Sequence, residues 1–310
     1  MITAWAVTTG EAGMRTQARG LAQSVADLVV EKTAPVGLIE QIFWRGPDKQ
    51  FAPPWPDILV TCGRRSALFS IRLRKLSGEK MLAVHIQDPR AHSEKFDLIV
   101  AMEHDRIAEC GNVIKVPTAL HDVTSERLRA AADGWARRMA AHGRPLAAVM
   151  VGGSTARQAF TAQHGARLLA GLNRLRTAGI SLAITPSRRT PDTVRAQLLD
   201  AFAGDPGVYQ WDLTGENPYL GLLGLADRLV VTSDSVSMIS EALATDHPVE
   251  VFDFGTEHYG RFLDRVVARG WARRFEGDPS PPPPREPINS TDAAAARVRA
   301  IFQKRTGVVG

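Results

Sequence analysis

The stretch Ala226–Ala242, ADRLVVTSDSVSMISEA, combines a predicted strand, a turn and a helix. Arg228–Thr232 is a largely β-branched run, which is typical of a strand buried in a parallel sheet. Asp234, Ser237 and Glu241 then fall on one polar face of the helix by i, i+3, i+7 spacing. Hydroxyl and free N–H groups at such a helix start can bind a phosphate. The glutamate deeper along that face can accept hydrogen bonds from ribose hydroxyl groups. The stretch therefore predicts a nucleotide-binding unit.

The turn of this unit is rich in serine, which makes Ser233 and Ser235 further candidate phosphate ligands. A simple capping box does not explain Glu241, because position 238 is methionine. The alternative is that Glu241 is an exposed helix acid.

The same alternation of strand and helix extends along the chain and predicts an α/β fold with parallel sheets and crossover helices. Strands are predicted at Thr3–Thr8, Asp57–Thr61, Met81–Ile86, Leu98–Ala101, Asn112–Val116, Leu146–Val151, Leu182–Thr185, Gly207–Trp211, Arg228–Thr232 and Val249–Phe252. Helices are predicted at Ala18–Val30, Arg64–Leu76, Ser125–Ala141 and Ser290–Lys304.

The restart of this pattern after His142-Gly143 predicts two Rossmann-like domains, at residues 1–143 and 144–277. Four consecutive prolines make residues 278–289 an extended connector, because proline removes the backbone donors that a helix or central strand needs. Residues 290–310 form a final helix and tail, and we expect this helix to return toward the first domain.

Charge and hydropathy restrict the class of function. The 310 residues include 38 Lys and Arg against 33 Asp and Glu, a net charge of +5, which favours anionic partners. The arginines do not form a stripe beside exposed aromatic residues, so we predict no nucleic-acid partner. No apolar run approaches the ~18 residues of a membrane span, and the N-terminus has no basic signal-peptide region, so a cytoplasmic location is expected.

Two further turns of the second domain carry candidate ligands. Gly152, Gly153, Ser154 and Thr155 follow a predicted strand and precede a helical stretch, so they offer several donors to a phosphate. The third glycine of a dinucleotide fingerprint and the lysine of a P-loop are both missing. After the next strand, Ser187, Arg188 and Arg189 add a hydroxyl and two guanidinium groups, which suit phosphate, and Ser187 and Arg188 are the candidate ligands. The alternative for this last turn is a solvated cationic loop.

Two carboxylates of the first domain are candidate catalytic bases. Glu11 follows the first strand and lies at the ligand-binding edge of a parallel sheet. Asp88 follows the strand that ends in His85-Ile86-Gln87, where an Asp-Pro step predicts a turn. Asp122 is a third candidate, although an N-cap role for it or for Thr124 is an equal alternative. Glu11 has the alternative of a solvated loop acid.

The chain resembles the bacterial relatives of the plant elongated-mitochondria fission factor, the mitochondrial fission ELM-like family. The resemblance is carried by Thr9-Gly10-Glu11-Ala12-Gly13-Met14 with Gln17, His85-Ile86-Gln87-Asp88-Pro89-Arg90, Val151-Gly152-Gly153-Ser154, Asn217-Pro218-Tyr219 and Thr232-Ser233-Asp234-Ser235-Val236-Ser237-Met238 with Glu241. It also resembles the nucleotide-sugar half of GT-B glycosyltransferases, which implies two domains facing a central cleft.

The resemblance further implies a nucleoside diphosphate sugar on the second domain, with Tyr219 among its contacts, and an acceptor beside Gly10, Gly13 and Gln17. It implies uridine as the base and a reaction without a metal ion or cofactor. Asp234 departs from the glycine-containing turns of many such enzymes and adds negative charge near the diphosphate.

An inverting sugar transfer with Glu11 or Asp88 as the base is the function that these patterns favour. The acceptor is expected to be a lipid or an envelope glycan, since the apolar and cationic helix Arg64–Lys75 can dock peripherally on the inner membrane or pack as a buried crossover helix. The alternatives are a nucleotide-sugar epimerase and a non-catalytic membrane-associated interaction protein of the same fold.

Overall fold

The computed structural model describes residues 1–35, 37, 40–41, 44, 46, 49–255 and 257–307. The strands in these residues are β1 (Thr3–Thr8), β2 (Leu28–Thr33), β3 (Ile58–Cys62), β4 (Leu82–Ile86), β5 (Leu98–Met102), β6 (Val113–Val116), β7 (Leu146–Val151), β8 (Ser181–Pro186), β9 (Val208–Gln210), β10 (Arg228–Thr232), β11 (Val249–Phe252) and β12 (Arg273–Arg274). The helices are α1 (Ala12–Val25), α2 (Ala67–Leu76), α3 (Ser125–Ala140), α4 (Ala162–Thr177), α5 (Asp192–Ala201), α6 (Tyr219–Leu225), α7 (Val236–Leu243), α8 (Glu257–Ala268) and α9 (Ser290–Thr306).

The strands form two parallel six-stranded sheets, with the orders β2-β1-β3-β4-β5-β6 and β12-β11-β10-β7-β8-β9. Every residue of the inner strands β3, β4, β7, β8 and β10 is buried, because helices cover both faces of each sheet. The predicted α/β class with two parallel sheets is confirmed, and the bounds of β1, β7, β10 and β11 are those predicted from the sequence.

The sequence predicts one helix at Ala18–Val30, and this prediction is wrong after Val25. Helix α1 begins at Ala12 and ends at Val25, and Leu28–Thr33 is the edge strand β2, paired with β1. Leu28 stands three residues after Val25, so it continues the helical apolar spacing. The β-branched pair Val29 and Val30 has the stronger preference for a strand.

Contacts divide the chain into two units, Met1–Asp122 with Asn289–Gly310, and Val123–Ile288. The division falls before helix α3, whereas the sequence predicts it at residue 143. Helix α3 belongs to the second unit because it packs closely on α6: a Cβ on Gly221 would lie 2.5 Å from the Trp135 ring, and one on Gly224 would lie 2.8 Å from the Leu128 carbonyl oxygen.

Helix α9 returns to the first unit, as predicted. Ala294, Ala295 and Val298 are buried in the core beneath α1, and α9 packs on α1 directly. At its start, the Ser290 hydroxyl accepts from the Thr118 N–H (3.1 Å) and the Thr291 hydroxyl accepts from the N–H of residue 121 (3.0 Å).

The proline-rich connector is fixed at both ends to the second unit. Arg228 donates to the carbonyl oxygens of Pro279 (2.9 Å) and Asp278 (3.1 Å). Arg285 donates to the last carbonyl groups of α7, those of Leu243 (2.8 Å) and Ala242 (3.1 Å). The second contact caps the helix that carries Glu241, because it satisfies acceptors that a helix end leaves unpaired.

Candidate functional site

The turns after β7, β8 and β10 lie at one edge of the second sheet. Strand β7 has β10 on one side and β8 on the other, and all three run parallel. Their carboxyl ends therefore bring together residues 152–155, 187–190 and 233–235. Open parallel sheets bind ligands at this edge.

Glu241 lies in α7 and is 9% exposed, which excludes the alternative of a solvent-exposed helix acid. Its Oε2 accepts a hydrogen bond from the hydroxyl group of Tyr219, the first residue of α6. Tyr219 is itself oriented by its backbone N–H, which donates to Asn217 Oδ1 (3.0 Å). Two residues that the sequence places in the same site, Tyr219 and Glu241, are thus in direct contact.

The serines before α7 shape the turn and the helix start. Ser235 is the N-cap residue, and its hydroxyl accepts from the N–H of Met238 (3.2 Å). Ser233 is buried; its N–H donates to the Phe252 carbonyl (3.0 Å) and its hydroxyl to Asp253 Oδ1 (3.3 Å), so it joins the ends of β10 and β11. Ser237 lies half-buried in the first helical turn, where backbone N–H groups lack intrahelical acceptors.

Asp234 is built into the protein interior, with a side chain that is 0% exposed. Its carboxylate accepts from Thr232 Oγ1 (2.6 Å), the Gly153 N–H (2.9 Å) and Arg189 Nη2 (3.0 Å). Burial raises the pKa of Asp234 above its usual value, although these three partners act in the opposite direction. Asp234 therefore orients the turn between the strands.

Gly152 and Gly153 have a different role from the one predicted. Their N–H groups, interpreted from sequence as phosphate donors, donate to Thr232 Oγ1 (2.8 Å) and to the Asp234 carboxylate (2.9 Å). A Cβ on Gly152 would lie 2.2 Å from Asp234 Oδ1, and one on Gly153 would lie 2.0 Å from the Arg189 carbonyl oxygen. Both glycines are required for close packing between neighbouring turns.

Ser154 and Thr155 lie in a loop, and the helix predicted directly after them begins later than predicted. The Ser154 hydroxyl accepts from the Phe160 N–H (3.0 Å), and the Thr155 hydroxyl accepts from the Gln158 N–H (3.1 Å). Helix α4 begins only at Ala162, where Thr161 provides a capping box. Threonine is a favourable N-cap residue, and this is the one local signal for the helix start in the sequence, since position 164 is histidine and not the Glu or Gln of a capping-box signature.

The turn after β8 holds Ser187, Arg188 and Arg189. The Ser187 N–H donates to Thr190 Oγ1 (2.9 Å), and its Oγ accepts from the Arg189 N–H (3.2 Å). Arg188 is exposed, and no hydrogen bond or ion pair joins its side chain to another described residue. Arg189, which the sequence places at the same edge but which is not among the predicted ligands, is the arginine that contacts Asp234.

In the first unit, Glu11 is the N-cap residue of α1 but its side chain makes no capping bond. Its carboxylate is 42% exposed, accepts from Thr9 Oγ1 (2.6 Å) and lies 3.6 Å from Arg65 Nη1. Gly10 has φ +100°, a conformation that favours glycine. The acceptor-side residues Gly13 and Gln17 lie within α1 and not in a loop, and Gln17 is buried on the core side.

Asp88 is engaged in its own turn. Its Oδ1 accepts from the Arg90 N–H (2.8 Å) and its Oδ2 lies 3.5 Å from Arg90 Nη1, with the side chain 10% exposed. Gln87 and Arg90 have φ of +79° and +71°, so this turn is strained. The third carboxylate, Asp122, accepts from Arg19 Nε (2.8 Å), and Thr124 provides the N-cap of α3.

The described residues contain no group of three or more His, Cys, Asp or Glu side chains that could hold a metal ion. Among them, no helix combines the length and the apolar character that crossing a membrane requires.

Sequence comparison assigns the chain to a family. The model of the family "Mitochondrial fission ELM1" matches residues 12–302. The chain belongs to the mitochondrial fission ELM1 family. A member, the mitochondrial fission protein ELM1 of Arabidopsis thaliana, is 33% identical over 279 residues, which cover 81% of this chain. The match spans 65% of the plant protein's own length.

Solved structures show that this family member has a fold of the GT-B type. A UDP-GlcNAc 2-epimerase from Methanocaldococcus jannaschii aligns with a TM-score of 0.58 and 11% identity, over 97% of this chain and 99% of its own. The enzyme of that name from Neisseria meningitidis, bound to UDP-GlcNAc, has a TM-score of 0.58 and 12% identity, over 98% of this chain and 100% of its own. At these identities the likeness establishes the fold alone.

Proposed function

We propose that this protein binds a nucleoside diphosphate sugar at the carboxyl edge of its second sheet and transfers the sugar to an acceptor hydroxyl. The observation that carries the proposal is the hydrogen bond between the buried Glu241 and the half-buried Tyr219. Burying a carboxylate is unfavourable unless polar partners compensate it, so we infer that Glu241 is placed there to bind a ligand.

The geometry around Glu241 suits the two ends of a nucleotide. The carboxylate can accept hydrogen bonds from ribose hydroxyl groups, while the start of α7 offers N–H groups and the positive end of the helix dipole to the diphosphate. UDP is our first candidate, by analogy with the UDP-GlcNAc of the Neisseria structure. N–H groups and guanidinium groups would stabilise the leaving diphosphate, so the proposed reaction is independent of a metal ion.

Glu11 is the proposed general base. In an inverting transfer the acceptor oxygen attacks the anomeric carbon, the bond to the diphosphate breaks, and the carboxylate takes the acceptor's proton. Glu11 is accessible, whereas Asp88 accepts from its own turn and is 10% exposed. Glu11→Gln should therefore abolish transfer and leave nucleotide binding unchanged, and Asp88→Asn should reduce transfer less.

A lipid acceptor at an inner membrane surface is the finer part of the proposal. Leu68 and Leu76 on α2 are 41% and 42% exposed, beside the exposed cations Arg64 and Lys75. Such a face can bind anionic lipid headgroups and bury its leucines among them. Co-sedimentation with vesicles containing anionic phospholipid, absent with neutral vesicles and reduced in Leu68→Ser, is expected. Equal binding to both vesicle types would contradict this part.

The donor site is tested by thermal shifts with the diphosphates of uridine, guanosine, adenosine and cytidine. A ligand at 100 times its Kd adds ~2.7 kcal/mol to the free energy of unfolding, which is readily measured. We expect a shift with one diphosphate, lost in Glu241→Gln and retained in the control Asp246→Asn, an exposed acid that follows α7.

No shift with any diphosphate would contradict the proposal and favour a non-catalytic interaction protein. Sugar turnover in the absence of any acceptor would instead indicate epimerisation.

A further inference from the structure

The two arginines after β8 differ in what fixes them. Arg188 is exposed and its side chain contacts no other described residue by a hydrogen bond or ion pair. Arg189 is 49% exposed, yet one nitrogen of its guanidinium is held by Asp234, whose side chain is 0% exposed. A half-exposed guanidinium on a fully buried anchor differs from an ordinary surface ion pair, in which both side chains move in solvent.

The backbone of Arg189 is fixed as firmly as its side chain. Its carbonyl oxygen lies against Gly153, where a Cβ would approach it to 2.0 Å. Its N–H donates to Ser187 Oγ (3.2 Å). The next residue, Thr190, is buried and donates through its hydroxyl to the carbonyl oxygens of Val151 (3.0 Å) and Gly152. The Arg189 backbone is therefore locked onto the end of β7.

The anchoring places Arg189 beside the start of α7. Asp234 directly precedes the N-cap residue Ser235, so a guanidinium bonded to Asp234 lies next to the positive end of that helix. The contact with Asp234 uses Nη2, and a guanidinium has five N–H donors in a rigid plane. A fixed guanidinium loses less conformational entropy on binding an anion than a mobile one.

We propose that Arg189 is the arginine that binds the diphosphate of the donor, and that Asp234 is a positioning residue that acts through it. This inference rests on the proposed nucleotide site and replaces Arg188, the arginine predicted from sequence. It also gives Asp234 a function. The Asp234 carboxylate repels a bound diphosphate, but it holds the Arg189 guanidinium that attracts the same diphosphate.

The test compares two neighbouring substitutions, Arg189→Gln and Arg188→Gln, which remove the same charge from the same turn. Affinity is measured by isothermal titration for the best diphosphate of the thermal series and for its nucleoside. We expect Arg189→Gln to weaken diphosphate binding about 10- to 100-fold and to leave nucleoside binding unchanged. Arg188→Gln should weaken diphosphate binding less than about threefold, as expected for an exposed charge.

Two more variants separate positioning from fold. Arg189→Lys keeps the charge but not the planar fork, so it should restore only part of the affinity. Asp234→Asn should weaken diphosphate binding in the wild-type background and have no further effect in Arg189→Gln. A merely structural Asp234 would lower the affinity equally in both backgrounds.

The outcomes distinguish this inference from the proposed function. If the wild type binds no diphosphate, the proposed function fails and the inference fails with it. If the wild type binds and the two glutamine variants bind equally well, the inference alone is overturned. The inference is also overturned if Arg189→Gln lowers the Tm without changing the diphosphate affinity, since Arg189 would then serve stability only.

Discussion

Each sheet contains a strand–turn–helix unit with a carboxylate in its turn, β1 with α1 and β10 with α7. The two carboxylates differ in exposure and in contacts. After β1, Glu11 stands at the helix start with its side chain 42% exposed and accepts from one hydroxyl, that of Thr9. After β10, Asp234 is 0% exposed and accepts from a hydroxyl, a backbone N–H and a guanidinium. The first carboxylate is accessible to solvent, whereas the second holds three neighbouring turns together.

Gly10, after β1, and Gly153, after β7, are required for different reasons. Gly10 has φ +100° and a Cβ there would find its nearest contact at 3.8 Å, so its backbone conformation requires glycine. Gly153 has no such conformation to explain it, and the Arg189 carbonyl oxygen occupies the position of a Cβ. Gly10 allows a turn with positive φ, whereas Gly153 allows the close approach of the Arg189 backbone. The sequence alone does not distinguish these two requirements.

The largest effect that would sharpen this comparison is expected for Gly153→Ala. A Cβ 2.0 Å from a backbone oxygen forces β7 and the turn after β8 apart and should lower the free energy of unfolding by about 3 kcal/mol. Gly10→Ala meets only backbone strain, about 1 to 2 kcal/mol. Native-state hydrogen exchange, which reports each unit separately, measures both. Equal losses in the two variants would contradict the distinction between turn and approach.

These glycines also mark how far the fold and the site can be predicted from sequence. Apolar β-branched runs locate β1, β7, β10 and β11 with their observed bounds, because buried parallel strands leave few other compositions. The edge strand β2 is not predicted, because its exposed apolar side chains continue the helical spacing of α1. The grouping of the three turns follows from parallel topology, but the choice of Arg189 over Arg188 depends on which side chain reaches Asp234 across the sheet.

The second comparison removes the carboxylates themselves. Asp234→Ala should cost about 2 kcal/mol, because the N–H of Gly153 and the hydroxyl of Thr232 lose a buried acceptor while Arg189 can turn to solvent. Glu11→Ala should change the free energy of unfolding by less than about 0.5 kcal/mol, as an exposed ion pair contributes little. Urea unfolding of each unit, followed by hydrogen exchange, gives the two values. A Glu11→Ala loss as large as that of Asp234→Ala would show that Glu11 is also structural.

A pH series tests the burial of Asp234, with Asp234→Asn as the reference. Its raised pKa means that the folded state binds the proton more readily than the unfolded state, so stability falls as pH rises from the usual carboxyl value of 3.8 through the raised one. The groups that face the carboxylate are Arg189, Thr232 and the Gly153 N–H, and of these only Arg189 carries charge. The wild type should therefore gain stability relative to Asp234→Asn on acidification, by at most about 1.4 kcal/mol per pH unit for one proton. A relative loss on acidification would mean that the three partners outweigh burial.

The smallest expected difference concerns the two helix starts. The Ser235 hydroxyl accepts from the Met238 N–H at 3.2 Å, whereas the Glu11 side chain makes no capping bond to α1. Ser235→Ala should lower the free energy of unfolding by about 1 kcal/mol, the usual loss when a helix N-cap is removed.

Ser235→Asp, which keeps an acceptor at the N-cap, is the matched control. It should preserve stability while adding negative charge where the diphosphate is proposed to bind. Diphosphate affinity should then fall in the aspartate variant more than in the alanine variant. The reverse order would show that the ligand needs the ordered helix start more than it avoids the charge.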